Sequence, residues 1–457
     1  MNGHTGKRYI LSVNNRRAEA QKTKDSLSWG WIAVIVIGIF GMLHPIYEVI
    51  GPLYASMYQF KMNYIGTSSS LVVLPYLVLI SIFLYRQQKR ATLSDYFIIV
   101  LTLCYFLPGA IMYVYGNWSN SYYIYHFLSY LFFVVTNELF PNFTSKPTPN
   151  TRRNSKSAVP FFSIVIPLSV ILITLYYNGL RINLQLGEVY DMRREWSSSR
   201  MPNFFNYYLP FAARITPILL LITLKQRRIW LSSLLIFSQL VSFSFGGMKY
   251  TLFALILGVL FHFFGKNINA KKVIIYYSIF VVLCFGECLI LSDQLPMLTI
   301  YTLRRMSFIP NQIGYYFFAF TQGHDYLYYS ESFLRGLLHY PYSYPFPHVI
   351  GEYAFGLPDM GANTGLFAEG FSQIGWLSLP IYSVLYVVSF RIYEVCARGF
   401  QKTEMAYVPL LGLLLYAFTL QDGAFFSVLL TQGFALSVLV LYLLSHTQMD
   451  QLRHKRH

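Results

Sequence analysis

The sequence predicts an all-α integral membrane protein with about twelve transmembrane helices and one long structured segment outside the membrane. Two features of composition point to this class: 55% of the 457 residues are hydrophobic, and only 12% are charged. The mean hydropathy of +0.44 is too high for a soluble globular chain of this length. Apolar runs near the ~20 residues needed to cross a bilayer also recur along the chain, which favours helices over a barrel of short strands.

Twelve such runs divide the chain into its predicted parts. The predicted spans are Trp29–Ile50, Thr67–Tyr85, Asp95–Tyr115, Tyr122–Phe140, Val159–Leu180, Tyr207–Leu224, Ile229–Phe245, Tyr250–Phe264, Val273–Leu291, Gly365–Phe390, Met405–Leu420 and Phe426–Ser445. The resulting parts are a basic N-terminus (1–28), helices 1–9 (29–291) with an outer loop at 181–206, a long outer segment (292–364), helices 10–12 (365–445) and a tail (446–457).

The basic residues indicate how these spans are oriented. The net charge of +16 raises the possibility of a nucleic-acid partner, but in a membrane protein the position of each charge matters more than the sum. With a cytoplasmic N-terminus, the loops assigned to the inside carry 25 of the 35 Lys and Arg residues. Every such loop contributes, including RQQKR at 86–90 and KQRR at 225–228. Twelve spans with both termini cytoplasmic therefore satisfy the positive-inside rule, and no nucleic-acid partner is expected.

The outer loop LQLGEVYDMRREWSSSR, residues 184–200, is basic on the side where basic residues are usually scarce. It contains Arg193 and Arg194 and follows Arg181. These arginines can pair with neighbouring acidic residues in surface ion pairs that contribute little. Alternatively, several of them bind an anion, because the guanidinium fork matches phosphate oxygens two at a time. If the loop is helical, Tyr190, Arg193 and Arg194 lie on one face.

Two further cations lie beside or inside predicted spans. Lys249 follows Gly246 and Gly247, a pair that allows a tight reversal and a close approach of backbone to a ligand. The alternative for this lysine is snorkelling to the membrane interface. Arg214 lies one or two turns inside the sixth span, where a charge is costly unless it is paired or faces a polar cavity. It is therefore predicted to serve either a function or a buried structural pair.

The long segment, at roughly 70 residues, far exceeds an ordinary connection, which indicates a folded and functional element. Its runs PMLTIYTLRRM and QIGYYFFAF predict helices, and SESFLRGLLHY predicts an amphipathic helix. Arg304 and Arg305 are adjacent in the first run, where a bound anion would explain two charges in an apolar stretch. The aromatic rings of YPYSYPFPH suit sugar faces and suit equally the packing of a small lid domain.

Four stretches between residues 180 and 393 carry a resemblance to a known family. They are GLRINLQLGEVYDMRREW, FGGMKYTLFALILG, TLRRMSFIPNQIGYY and NTGLFAEGFSQIGWLSLPIYSVLY. In this order they resemble bacterial Wzy-type oligosaccharide repeat-unit polymerases of O-antigen, capsule and common-antigen synthesis. The resemblance implies a GT-C-like glycosyltransferase in the bacterial inner (plasma) membrane. Such an enzyme transfers a growing glycan from undecaprenyl pyrophosphate to a lipid-linked repeat unit at the outer face of that membrane.

The resemblance also implies partners and roles for residues. It implies no metal or other cofactor, membrane lipid as surroundings, and a chain-length-regulating co-polymerase as a further partner. The family's periplasmic arginines correspond to Arg193 or Arg194 and to Arg304 or Arg305; Arg194, Arg304 and Arg305 are expected to be catalytic by stabilising pyrophosphate charge. The family pattern Gly-Gly-x-Arg is GGMK here, so Lys249 keeps the charge and loses the fork. The residues expected to bind substrate are Arg181, Tyr190, Arg193, Arg214, Lys249, His348, Glu352 and Glu369.

The general base and the reaction class stay open at this level. Candidates for the base that assists the acceptor hydroxyl are Glu352, Glu369, Asp359 and His348, and each also has an ordinary structural interpretation. The nearest alternative function is an O-antigen-ligase-like enzyme, which shares the donor. A lipid-oligosaccharide flippase or a twelve-helix carrier is the alternative outside enzymes, although a carrier needs no long structured outer segment and the two halves show no similarity.

Overall fold

The computed structural model describes residues 26–57, 70–143, 158–179, 182–185, 188–199, 201–291, 294–401 and 403–454. Regular structure within these ranges is helical, and no β-strand forms in them. The predicted basic N-terminus up to residue 25 lies outside the described residues, as does Arg181. Nine of the described helices are long and apolar enough to cross a membrane, so the predicted all-α, multi-pass class is confirmed.

The helices are numbered here in chain order. They are α1 (Trp29–Met57), α2 (Leu74–Arg90), α3 (Leu93–Tyr115), α4 (Asn120–Leu139), α5 (Ala158–Asn178), α6 (Val189–Ser198), α7 (Asn203–Lys225), α8 (Ile229–Gly246), α9 (Lys249–Phe264), α10 (Ala270–Ile290), α11 (Met297–Tyr301), α12 (Ile309–Thr321), α13 (Phe346–Phe355), α14 (Leu366–Ile374), α15 (Ser378–Gln401), α16 (Val408–Asp422) and α17 (Phe434–His454).

The nine candidate spans each overlap one predicted span. They are α1, α2, α3, α5, α7, α8, α9, α10 and the continuous apolar run of α14 and α15. The remaining three predictions fall on α4, which is less apolar, and on α16 and the apolar part of α17, which are shorter. A count of twelve spans therefore stays a prediction. Residues 446–454 of the predicted tail are also helical, since α17 continues to His454.

The chain forms two compact units. Unit 1 holds the described residues up to Val135, with Asn269–Ala362 and Phe371–Leu379. In it, α1 packs against α2 and α10, and α3 contacts all three of these helices. The start of α3 is fixed by a capping box in which Thr92 and Asp95 satisfy each other's backbone N–H groups. Because α3 is apolar on every side, it is buried along its whole length.

Unit 2 comprises Thr136–Ile268, Asn363–Gly370 and Pro380 onward. Its central helix is α7, which packs against α5, α8, α9, α16 and α17. Pro217 in α7 has no N–H to donate to the carbonyl of Ala213 one turn earlier. The amide of Gln239 in α8 donates to that carbonyl at 2.9 Å, so the backbone group freed by the proline stays satisfied in apolar surroundings.

The long segment folds within unit 1 around a small core of its own. Phe346 on α13 packs against Phe317 and Phe320 on α12, and Tyr340 and Tyr342 lie against the same cluster. The structure therefore gives these two tyrosines the packing role rather than an open sugar platform. Glu331 accepts hydrogen bonds from the Phe346 N–H at the start of α13; burial raises the pKa of this carboxyl.

The predicted amphipathic helix SESFLRGLLHY is wrong. Residues 328–338 form a succession of turns, with an isolated bridge between Arg335 and Leu338. Gly336, inside the predicted helix, has φ of 91°, and the two residues directly before that helix, Tyr328 and Tyr329, have φ of 46° and 61°. A right-handed helix cannot pass through these backbone conformations.

Replacing Gly351 by alanine is expected to destabilise the long segment. A Cβ at this position in α13 would lie 1.9 Å from the carbonyl oxygen of Met360, and backbone cannot move aside cheaply. We expect Gly351→Ala to lower the free energy of unfolding by about 1–3 kcal/mol, as overpacking does. Gly286→Ala in α10, where an added Cβ meets nothing within 4 Å, is the matched control. Thermal unfolding in detergent measures both, and equal midpoints would contradict the argument.

Candidate functional site

The predicted Gly-Gly reversal joins α8 to α9 in unit 2. Gly247 has φ of 58° and caps α8 through a 2.8 Å hydrogen bond from its N–H to the Phe243 carbonyl. A Cβ on Gly247 would lie 2.7 Å from the Val189 carbonyl oxygen of α6. The reversal is therefore as predicted, but the backbone that approaches closely belongs to α6 and is not a ligand.

Helix α6 contains Arg193 and Arg194 of the 184–200 loop, whereas Arg200 lies outside the described residues. Its Val189 and Met192 are buried, whereas Arg193 and Arg194 are exposed. Arg194 Nη2 lies 3.2 Å from Asp191 Oδ1, with the two side chains 80% and 66% exposed. This is the surface ion pair considered as the alternative for the loop, and its contribution to stability is small. The side chain of Tyr190, like Arg181, lies outside the described residues.

Arg214 and Glu369 are the two buried residues among the described binding residues predicted in unit 2. Arg214 is only 5% exposed, midway along α7, and lines a cavity of about 410 Å³. Its guanidinium donates to Thr419 Oγ1 at 3.2 Å, to the Pro210 carbonyl at 3.1 Å, and to the carbonyl and side-chain oxygens of Gln432 at 3.0 and 2.7 Å. The Tyr250 ring centre lies 4.8 Å from Arg214 Cζ. All these partners are uncharged, so the cation is held by dipoles and by a π face.

The chain builds this cavity by bringing a tight turn against α7. A π-helical turn, Ser427–Thr431, ends at Gln432, and Gly433 follows with φ of 84°. A Cβ on Gly433 would lie 2.5 Å from the Cβ of Phe211, so only glycine lets the turn approach α7 this closely. This close approach brings Gln432 within hydrogen-bonding distance of the Arg214 guanidinium. The other lining residues are Met248, Phe253, Leu415, Phe418, Thr419 and Asp422.

Two other predicted residues of unit 2 lie apart from the cavity lining. Lys249 is the first residue of α9 and is half-buried, while its neighbours Met248 and Tyr250 reach the cavity. Glu369 is buried and accepts a 2.7 Å hydrogen bond from the Tyr382 hydroxyl. That bond gives Glu369 a structural role between α14 and α15.

In unit 1, Arg304 and Arg305 begin a π-helical turn, Arg304–Phe308. Arg304 is buried and Arg305 is exposed, so the adjacent pair is split between the interior and the surface. The amide nitrogen of Asn311 donates to the Ser307 carbonyl in this turn at 2.7 Å. It also donates at 2.9 Å to the Tyr105 carbonyl in a second π-turn within α3. Asn311 thereby ties the Arg304 turn to α3.

The remaining candidate bases lie on the long segment. The Nδ1–H of His348 donates to the Pro358 carbonyl at 2.9 Å, which gives this ring a structural partner. Glu352 and Asp359 are exposed on α13 and on the turn that follows it. Across the described ranges, no group of three or more His, Cys, Asp or Glu side chains is arranged to hold a metal ion.

Sequence reasoning found Arg214 but missed the residues that complete its surroundings. Thr419, Asp422 and Gln432 are separated from it by about two hundred positions, and each is an ordinary polar residue in an apolar stretch. The only local signal is the Gln432-Gly433 pair after an apolar run, which indicates a turn. The role of Asn311 was also not predictable, because no sequence pattern indicates a π-turn.

Replacing Asn311 by leucine is expected to loosen the turn that starts at Arg304. The change leaves two buried carbonyls without their donor, and we expect it to cost about 2–4 kcal/mol of unfolding free energy. Thr321→Val, on the same helix, removes a buried hydroxyl that bonds only the Phe317 carbonyl of its own helix, and should cost less than about 1 kcal/mol. Unfolding midpoints of the two purified variants test this, and similar values would refute the bridging role.

No protein-family model, curated protein or solved structure matches this chain.

Proposed function

We propose that the chain is a membrane glycosyltransferase that polymerises lipid-linked oligosaccharides, as the resemblance to Wzy-type polymerases implies. The observation that supports this most directly is Arg214, a buried cation on the wall of a cavity whose hydrogen bonds all end on neutral oxygens. A cation held away from water attracts an anion more strongly than a surface arginine does. The pyrophosphate of undecaprenyl pyrophosphate is the anion that the proposal assigns to this cavity.

The position of the cavity along unit 2 agrees with an outward-facing site. Its lining includes Met248 and Tyr250 at the turn between α8 and α9, at the opposite end of α8 from the basic KQRR turn. If KQRR is cytoplasmic, as the positive-inside rule favours, the α8–α9 turn lies toward the outer face. We propose in addition that the chain has twelve spans in a GT-C-like arrangement, with both termini cytoplasmic, and that it lies in the bacterial inner membrane.

The proposed chemistry is a single glycosyl transfer. The bond between the anomeric carbon and the pyrophosphate oxygen breaks, and a bond forms from that carbon to a hydroxyl oxygen of the lipid-linked repeat unit. Arg214 would stabilise the negative charge that grows on the departing pyrophosphate. The acceptor proton needs a base, and Asp422 is the carboxylate among the lining residues of this cavity. We assign the base to Asp422, which lines the cavity, in preference to Glu369, which lies apart from its lining.

The other predicted residues have weaker support. Arg194 is engaged by Asp191 at the surface, and Arg193 is exposed beside it. We keep Arg304 and Arg305 as proposed site residues because of the family resemblance. Of the two, Arg305 is exposed, so a ligand can reach it. The long segment is proposed to act outside the membrane, where the acceptor glycan and a co-polymerase would meet it.

Changing Arg214 to lysine tests the proposed donor site. Lysine keeps the charge but cannot span Thr419, Pro210 and Gln432 while presenting a planar fork to phosphate. In cells that lack the native gene, we expect the variant to reduce polymer on the lipid carrier at least about tenfold, with repeat-unit monomers accumulating. Arg391→Lys is the control, since Arg391 is equally buried but pairs with Glu394 at 3.3 Å.

The carrier-bound glycans separate the possible outcomes of this experiment. A normal ladder with Arg214→Lys would remove the cavity from the mechanism. If deletion of the gene leaves full-length polymer on the carrier and blocks only its transfer elsewhere, the chain is a ligase instead. Loss of all carrier-linked material from the outer face would indicate a flippase.

Changing Asp422 to asparagine tests the proposed base. The side chain keeps its size and loses the ability to take a proton, so we expect turnover to fall roughly a hundredfold or more while lipid-linked donor still binds. Asp359→Asn is the matched control, since Asp359 is an exposed carboxylate of the long segment. Polymerisation by purified protein in nanodiscs measures turnover. Normal turnover by Asp422→Asn, or an equal loss from Asp359→Asn, would contradict the assignment.

A further inference from the structure

Helix α10 of unit 1 carries an exposed apolar strip along one side. Tyr276, Ile279, Leu283 and Ile290 are exposed and follow one another at helical spacing. Gly286 lies between them on the same side, and a Cβ there would meet nothing within 4 Å. Since α10 is long and apolar enough to span a membrane, this strip is the face it presents to lipid.

The exposed strip does not stop where α10 ends. Leu295 lies in the connection, and Met297, Leu298 and Tyr301 are exposed on the short helix α11, with Tyr301 56% accessible. On the opposite side of α11, Thr299 and Ile300 are buried. Helix α11 therefore has a buried inner side and an exposed apolar outer side, and that outer side continues the lipid-facing side of α10. At five residues it is roughly 7.5 Å long, much too short to cross a bilayer.

Glu287 fixes α11 against the last turn of α10. Its carboxylate accepts three hydrogen bonds of 2.7 Å, from the backbone N–H groups of Leu298 and Thr299 and from the Thr299 hydroxyl. The first N–H groups of a helix have no partner within it, and a carboxylate also suits the positive end of the helix dipole. Glu287 thus supplies from α10 the cap that α11 lacks in its own sequence, where Pro296 precedes it without a side-chain bond.

We propose that residues 295–301 form a membrane-interface element that lies in the headgroup layer at the end of α10. Its partner is the bilayer: Met297 and Leu298 enter the acyl boundary, and Tyr301 has the ring and polar tip that favour this depth. Glu287 is its positioning residue. Because Arg304 and Arg305 follow within four residues, the element sets their depth near the lipid phosphates. The inference requires α10 to span the membrane and does not rest on the proposed glycosyl transfer.

Spin labels on single cysteines test the depth directly. Met297→Cys and Tyr301→Cys, each introduced with the four native cysteines replaced, are labelled in full-length protein in phosphatidylethanolamine–phosphatidylglycerol nanodiscs. Leu283→Cys on α10 is the lipid reference, and Ser343→Cys on the exposed part of the long segment is the water reference. We expect labels 297 and 301 to be relaxed more by oxygen than by a water-soluble nickel chelate, with depths between the two references. Nickel accessibility equal to that at Ser343 would overturn the proposal.

Variants of Glu287 test the positioning role separately. With the label at Tyr301, Glu287→Ala should raise nickel accessibility toward the Ser343 value and increase label mobility, because α11 loses its cap. Glu287→Gln keeps a carbonyl acceptor and should shift the label much less. An unchanged label in Glu287→Ala would remove Glu287 from the role and leave the depth result standing. None of these readings depends on polymer synthesis, so they fail or succeed independently of the enzymatic proposal.

Discussion

Backbone polar groups that lose their helical partner in apolar surroundings must find another one inside the protein, and much of this structure follows from that requirement. Pro217 frees the carbonyl of Ala213 in α7, and the side-chain amide of Gln239 takes it. In unit 1, the side-chain amide of Asn311 donates to the carbonyls of Tyr105 and Ser307 and so links the two π-turns that contain them. In both units, an amide side chain therefore links two helices at a place where one of them departs from regular α-helical hydrogen bonding.

The same requirement explains why Arg214 can be buried. Its guanidinium N–H groups donate to oxygens of Thr419, Pro210 and Gln432, which satisfies them inside the protein. Those oxygens are uncharged, so these hydrogen bonds do not neutralise the positive charge. Arg194 shows the opposite arrangement, with a carboxylate partner and free access to solvent. A charge in water is screened and interacts weakly at a distance, whereas a charge buried in the wall of the unit 2 cavity is screened less. Burial, rather than the number of arginines in a loop, distinguishes the two arginines as candidate anion sites.

The sequence was sufficient for the features that depend on local composition. The positions of nine spans and the reversal at Gly247 follow from apolar length and from glycine's access to positive φ. It was insufficient where the chain departs from regular geometry: the helix predicted over SESFLRGLLHY fails at Gly336, whose positive φ the sequence pattern did not reveal. The cavity was equally out of reach, since Gln432 meets Arg214 across 218 positions and carries no pattern of its own. Arg193 and Arg194 were visible in the sequence, but their exposure to solvent was not.

The position of Arg214 has a consequence for how the protein is made. Helix α7 emerges from the ribosome about two hundred residues before Thr419 and Gln432 exist. A lone arginine at the centre of a helix disfavours transfer from the translocon into lipid by about 2.5–3.5 kcal/mol. During that interval only Pro210, on α7 itself, is present to accept from the guanidinium. Stable insertion of α7 is therefore coupled to the synthesis of α16 and the turn after it, and a chain truncated before residue 419 would leave α7 poorly held in the bilayer.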